Sequence, residues 1–246
     1  MPEWTTQRWT EVFSEQAASF RAAAARADLA APVPSCPGWT FTELTVHVAR
    51  FLAQVTRYLS SGSTVQLRPV TPAPVLDPLG HLDDELAQAT LALSATPGNR
   101  PVWTFSPAAP DLAHVWHRRA AHELNLRRWD AQAALRTLDS TDGDTDPDQA
   151  ADAIDELLGT LLAARQLLDA PPRHAGTAVV STTDCPHAWF VRLLPGQAPE
   201  VRPAAPDEPA DAHLTGQAAN LLYQLWNRMR LTGTGDERVL RALRMS

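Results

Sequence analysis

Between Asp111 and Leu138 the chain contains neither proline nor glycine, so this stretch is predicted to form one long helix, opened by Pro110-Asp111 as cap. At ~100° per residue, Trp116, Glu123, Arg127 and Asp130 project from one face. His114, His122 and Trp129 lie well round from it. A carboxylate and the side chain four residues later can meet the same partner. Had the later residue been histidine, this pair and one histidine from a neighbouring helix would supply three nitrogen and oxygen ligands with an open fourth position, the arrangement of a catalytic zinc site. Here the later residue is Arg127, and Glu123 with Arg127 reads equally as a helical ion pair.

Other helices follow from periodicity. Trp9, Val12, Phe13, Ala17 and Phe20 mark one from Thr5 to about Arg26. Thr40-Phe41-Thr42-Glu43 is a capping box for a second, reaching about Ser60, with His47 on its apolar face beside Leu44, Val48, Phe51 and Leu52. Leu79, Leu82, Leu86, Ala89 and Leu93 make a third stripe, closed by Pro97-Gly98. Asp139 to Asp144 reads as a surface loop, and Asp146-Pro147 then caps a fifth helix over Ala150–Leu168.

The pattern changes at Pro171-Pro172. Thr177–Thr182 and Trp189–Leu194 read as strands joined by a turn at Asp184-Cys185-Pro186, with a short strand near Ala210–Leu214 and two terminal helices. Pro195–Pro209 is expected to be a loop. The expected fold is α+β, with a helical bundle over residues 1–170 and a small α/β domain over 171–246.

A net charge of −7, with the arginines scattered, argues against nucleic acid as a partner. No apolar run approaches the ~20 residues of a membrane span, and the first residues lack a signal-peptide pattern, so a cytoplasmic protein is expected. No glycine-rich phosphate loop or nucleophile elbow is present. Cys36 and Cys185 are the two cysteines, expected as thiols. Cys36, ahead of Pro37-Gly38, reads as a packing or turn residue, or as a reactive thiolate near a helix start. His114 and His117 could share a partner, although Arg118 and Arg119 suggest a solvated face.

Several segments together resemble the mycothiol-dependent maleylpyruvate isomerase family, within the wider DinB-like helical bundles. They are Cys36-Pro37-Gly38-Trp39-Thr40 through Leu44-Thr45-Val46-His47, Val102-Trp103, Trp116 through Glu123, Arg128-Trp129-Asp130, Leu214-Thr215-Gly216 and Leu225-Trp226-Asn227-Arg228. The resemblance implies mycothiol as thiol cofactor, a small electrophilic acid as substrate, and isomerase or thiol S-transferase chemistry. It implies zinc ligands at His47, Glu123 and a histidine that in this chain is Arg127, with His122, His117 or a residue from elsewhere as possible replacements. It also points to Glu123 and Arg127 as catalytic residues and to Arg228 as a contact for the thiol cofactor. A guanidinium beside the site opposes a divalent ion but can stabilise a thiolate or a substrate carboxylate. The contrasting expectation is a non-catalytic small-molecule-binding or regulatory module that has lost the metal.

Overall fold

The computed structural model describes residues 4–70, 73–135, 145–169 and 175–245. Four helices form one compact unit from residues 4–104 and 110–135: α1 (Thr6–Arg26), α2 (Phe41–Ser61), α3 (Pro78–Ala95) and α4 (His114–Ala134). Each of the first three begins where its sequence supplies a cap. Thr5 Oγ1 accepts from Arg8 N, Thr40 N donates to Glu43 Oε2 at 2.8 Å, and Asp77 Oδ1 accepts from Gly80 N. The core of this unit follows most of the predicted stripes: Val12, Phe13 and Phe20 from α1, Leu44, Val48, Leu52 and Val55 from α2, and Leu82, Ala89 and Leu93 from α3 are all buried, whereas Phe51, Leu79 and Leu86 are only partly covered. Helix α1 packs along α4 and α2 along α3, and α2 also touches α4. That last contact brings His47 and Glu123 together.

Helix α4 begins at His114 rather than at Asp111. The carboxylate expected to cap it is used elsewhere, since Asp111 Oδ1 accepts from Thr104 N at 3.1 Å and from Thr104 Oγ1 at 3.3 Å. The expected surface loop at Asp139 to Asp144 lies outside the described residues.

Residues 105–109, 145–169 and 175–245 belong to the second unit. It contains α5 (Pro147–Glu156), capped by Asp146, which packs against α7 (Ala218–Leu225). The chain thus divides by its contacts near residue 143, whereas the sequence reading placed the division at 170 and left the fifth helix with the bundle. Beyond Glu156 the helix loosens into π turns at Leu157–Leu161 and Arg165–Asp169, separated by α6 (Leu162–Ala164).

A five-stranded sheet completes this unit, built from β1 (Gly176–Thr182), β2 (Ala188–Leu193), β3 (Glu200–Pro203), β4 (Ala212–Gly216) and β5 (Thr234–Gly235) in the order β3-β2-β1-β4-β5. Strand β1 pairs antiparallel with β2 and parallel with β4, and Ala178, Val179, Val180 and Ser181 are all buried, as a central strand requires. Helix α8 (Glu237–Leu243) packs on β4 and β1. The segment expected as a loop from Pro195 to Pro209 contains β3, an exposed edge strand with proline at its end, whose sequence has too few apolar residues to stand out. Strand β5 requires Gly235: its φ is 93°, and a Cβ there would run into the Asp211 carbonyl.

Candidate active site on the helical bundle

The site grows from α4, which buries charged side chains along most of its length: Arg119, Glu123, Arg127, Arg128 and Asp130 are all buried. Buried charges persist only where partners are fixed. Glu123 has three. Arg127 Nε donates to its Oε1 at 2.7 Å, His47 Nε2 meets the same oxygen at 3.2 Å, and Arg119 holds Oε2 from the preceding turn. Burial alone would push the Glu123 carboxyl up, but Arg127, Arg119 and then His47 outweigh it and hold the group well below the usual carboxylate range. Burial likewise disfavours the Arg127 charge, and Glu123 and Asp130 more than restore it. Glu123 is therefore held as an anion at neutral pH.

The network extends into the loop before α2. Arg127 Nη1 donates to Asp130 Oδ2 at 3.0 Å, and Ser35 Oγ donates to Asp130 Oδ1 at 2.6 Å. The Cys36 thiol donates to Asp130 Oδ2 at 3.4 Å and lies 3.8 Å from Arg127 Nη1. Trp39 roofs this group: its ring is 4.9 Å from the His47 ring, and the Arg127 guanidinium carbon lies 5.6 Å from it. His47 is the accessible member, its side chain 38% exposed against 8% for Glu123 and 9% for Arg127. One turn and two turns further along α2, Arg50 and Gln54 line a groove of about 890 Å³, shared with Arg57, Arg68, Asp77 and Asp84.

The structure therefore brings together His47, Glu123 and Arg127, and the expected direct Arg127–Glu123 contact is present. These residues do not fit a divalent metal ion. Both Glu123 oxygens are taken by guanidinium groups, and the carboxylates of Glu123 and Asp130 are balanced by Arg119 and Arg127 without any ion. His117 offers no replacement ligand, because its two ring nitrogens face the carbonyls of Ala113 and Leu93, both at 2.9 Å. Among the described residues, the three ligand-type groups close enough to share an ion lie elsewhere, at Asp148, Cys185 and His187. Arg228 belongs to the second unit, where its Nη1 donates to the Trp226 carbonyl at 2.9 Å.

Sequence reasoning missed Arg119 and placed it, with His117, on a solvated face; both are buried. The missed signal was symmetry, since Arg119 precedes Glu123 by the same four residues by which Arg127 follows it. Asp130 as the partner of Ser35 and Cys36 had no local signal, because it lies 95 and 94 residues from them in sequence.

The sequence profile described as the mycothiol maleylpyruvate isomerase N-terminal domain matches residues 10–132. Among solved structures, a crystal structure of a mutant of the mycothiol-dependent maleylpyruvate isomerase superimposes with a TM-score of 0.67 at 13% identity, covering 95% of both chains. Another crystal structure of the mycothiol-dependent maleylpyruvate isomerase gives 0.61 at 14%, again with 95% of each chain. At these identities the structures establish the shared fold. No curated protein sequence matches the chain.

Proposed function

The chain belongs to the mycothiol maleylpyruvate isomerase family, and from that premise we propose that it is a mycothiol-dependent isomerase or S-transferase for a small electrophilic acid, working without a metal at the bundle site. The observation that carries the reading is the orientation of His47. An ionised, immobile Glu123 beside Nε2 selects the tautomer in which Nε2 carries the proton, leaving Nδ1 as the ring's acceptor. A half-exposed imidazole with a fixed acceptor nitrogen is a general base for a thiol. The thiol supplies a sulfur nucleophile that adds reversibly to an electron-poor double bond or carbon. His47 takes the S–H proton as the C–S bond forms and returns it when that bond breaks. Glu123 stabilises the imidazolium in between. Arg119 and Arg127 are positioning residues, which keep Glu123 charged and in place. The groove further along α2, which His47 itself does not line, holds Arg50, Arg57 and Arg68 beside Asp77 and Asp84, and its guanidinium groups suit a carboxylate in forked geometry.

A second reading, a non-catalytic binding or regulatory module, is favoured by the full engagement of Glu123. Turnover separates the two. With mycothiol and maleylpyruvate the protein is expected to give a thiol-dependent rate above background, and His47→Ala to lower it by about 10²–10⁴-fold, the usual loss when a general base is removed. Saturable binding of either compound with no turnover would overturn the enzymatic reading in favour of the module.

A further inference from the structure

The second unit carries a group of side chains that the bundle chemistry does not use. Cys185 and His187 sit two residues apart in the turn between β1 and β2, and Asp148 is the second residue of α5. Their ligand atoms, a sulfur, an imidazole nitrogen and a carboxylate oxygen, all lie within 4.8 Å of one another. His187 Nε2 and Asp148 Oδ1 are 3.8 Å apart. That is too long for a hydrogen bond. It is close to the ~3.4 Å between two ligands of one tetrahedral zinc with bonds of ~2.0–2.1 Å.

The turn is built to hold this arrangement. Thr182 Oγ1 donates to the Cys185 carbonyl at 2.6 Å and accepts from His187 N at 3.2 Å, while His187 N also reaches the Cys185 carbonyl at 2.9 Å. The surroundings are anionic as well: Asp184, Asp148 and Asp146 all act on the Cys185 sulfur. Asp184 and Asp146 are already committed as acceptors, from Ala218 N and from Asp148 N and Gln149 N, so they contribute field rather than ligands. Asp148 is half exposed and His187 largely covered, which leaves one open approach.

We propose that Asp148, Cys185 and His187 form a zinc-binding site that clips the β1–β2 turn to the start of α5, with water in the fourth position. The mixed sulfur, nitrogen and oxygen donors suit Zn²⁺ over Mg²⁺ or Ca²⁺, which select oxygen alone. The site is separate from the bundle chemistry, and it links segments 38 residues apart in sequence, so metal binding would stabilise the second unit.

Cobalt titration of the full chain under a non-coordinating reductant tests this, because Co²⁺ bound by a thiolate gives a charge-transfer band in the near ultraviolet. One equivalent is expected to bind with that band, and zinc is expected to displace it and to raise the melting temperature. Cys185→Ser and His187→Gln should each abolish the band, and Asp148→Asn should weaken cobalt binding about tenfold or more. His47→Ala and Cys36→Ser should leave all of this unchanged, whatever the outcome of the thiol assay. Absence of the band in the unaltered protein, or a band that survives Cys185→Ser and disappears in Cys36→Ser, would overturn the proposal.

Discussion

Helices α2 and α4 are the same length, 21 residues, and belong to the same bundle, yet they are held by opposite means. Helix α2 buries Phe41, Leu44, Val48, Leu52, Val55 and Leu59 in an apolar stripe and leaves Arg50 and Arg57 outside the core. Helix α4 buries Arg119, Glu123, Arg127 and Asp130 alongside Val115, Leu124 and Leu126. The first kind of burial is non-directional and tolerates adjustment. The second depends on every partner being present, since any one left alone is an uncompensated charge in a dry interior. The helix with the demanding interior is the one that positions the site. The positive charge that faces Glu123 comes from the Arg119 and Arg127 side chains.

The largest expected effect breaks that dependence directly. Glu123→Ala leaves the Arg119 and Arg127 guanidinium groups buried without their shared anion, and is expected to lower the unfolding free energy by about 3–5 kcal/mol, measured by urea denaturation. Acid acts on the same point. The folded-state pKa of Glu123 lies below the value of 4.5 that the free group has, so its contribution to stability is complete above that pH and is lost as pH falls through the folded-state pKa. Glu123→Gln should therefore have a flatter stability profile than the unaltered protein in this acid range. A profile as steep as the parent's would mean that the cluster does not couple to folding.

Next in size is the same experiment on the apolar helix. Leu52 is fully buried on α2, and Leu52→Ala is expected to cost about 3 kcal/mol through lost transfer energy and the cavity left behind, with little change in the pH profile. If Leu52→Ala altered the acid limb as much as Glu123→Gln does, the two helices would not be separable in the way their interiors suggest.

This contrast also explains what was legible in the sequence. Helix α2 could be read residue by residue, its cap from Thr40 to Glu43 and its stripe from Leu44 to Val55, because apolar periodicity and capping are local signals. The sheet strands β1, β2 and β4 were legible for the same reason, and β3 was not, because an exposed edge needs no apolar side chains. On α4 the polar residues conveyed the wrong message. Arg119 and His117 look solvated in sequence, yet both are buried, His117 against the Leu93 carbonyl of α3 and Arg119 on Glu123. The pairing of Glu123 with Arg127 was nonetheless readable from spacing alone, and it puts a guanidinium on the carboxylate oxygen that a metal would need. The position of α5 was not readable, since a strong apolar face states that a helix packs but not against what.

The smallest effect tests whether the apolar helix owes its register to its cap. Thr40 N donates to Glu43 Oε2 at 2.8 Å and the Thr40 hydroxyl meets the same carboxylate, so residue and carboxylate satisfy one another at the start of α2. Thr40→Ala is expected to cost about 1 kcal/mol, well below either interior substitution, because the cap faces solvent and water can replace part of it. A second readout is more specific. The Thr40 hydroxyl, followed by the Thr40 N–H, holds the Glu43 carboxyl below its ordinary range, so in the variant the Glu43 side-chain resonance should titrate at higher pH than in the parent. Because His47 lies one turn beyond Glu43 on the same helix, a thiol-dependent rate that survives Thr40→Ala would show that contacts with α4 hold the base in place. A rate lost along with the cap would show instead that the start of α2 sets the position of His47, and the division between a tolerant apolar helix and a demanding polar one would then have to be redrawn.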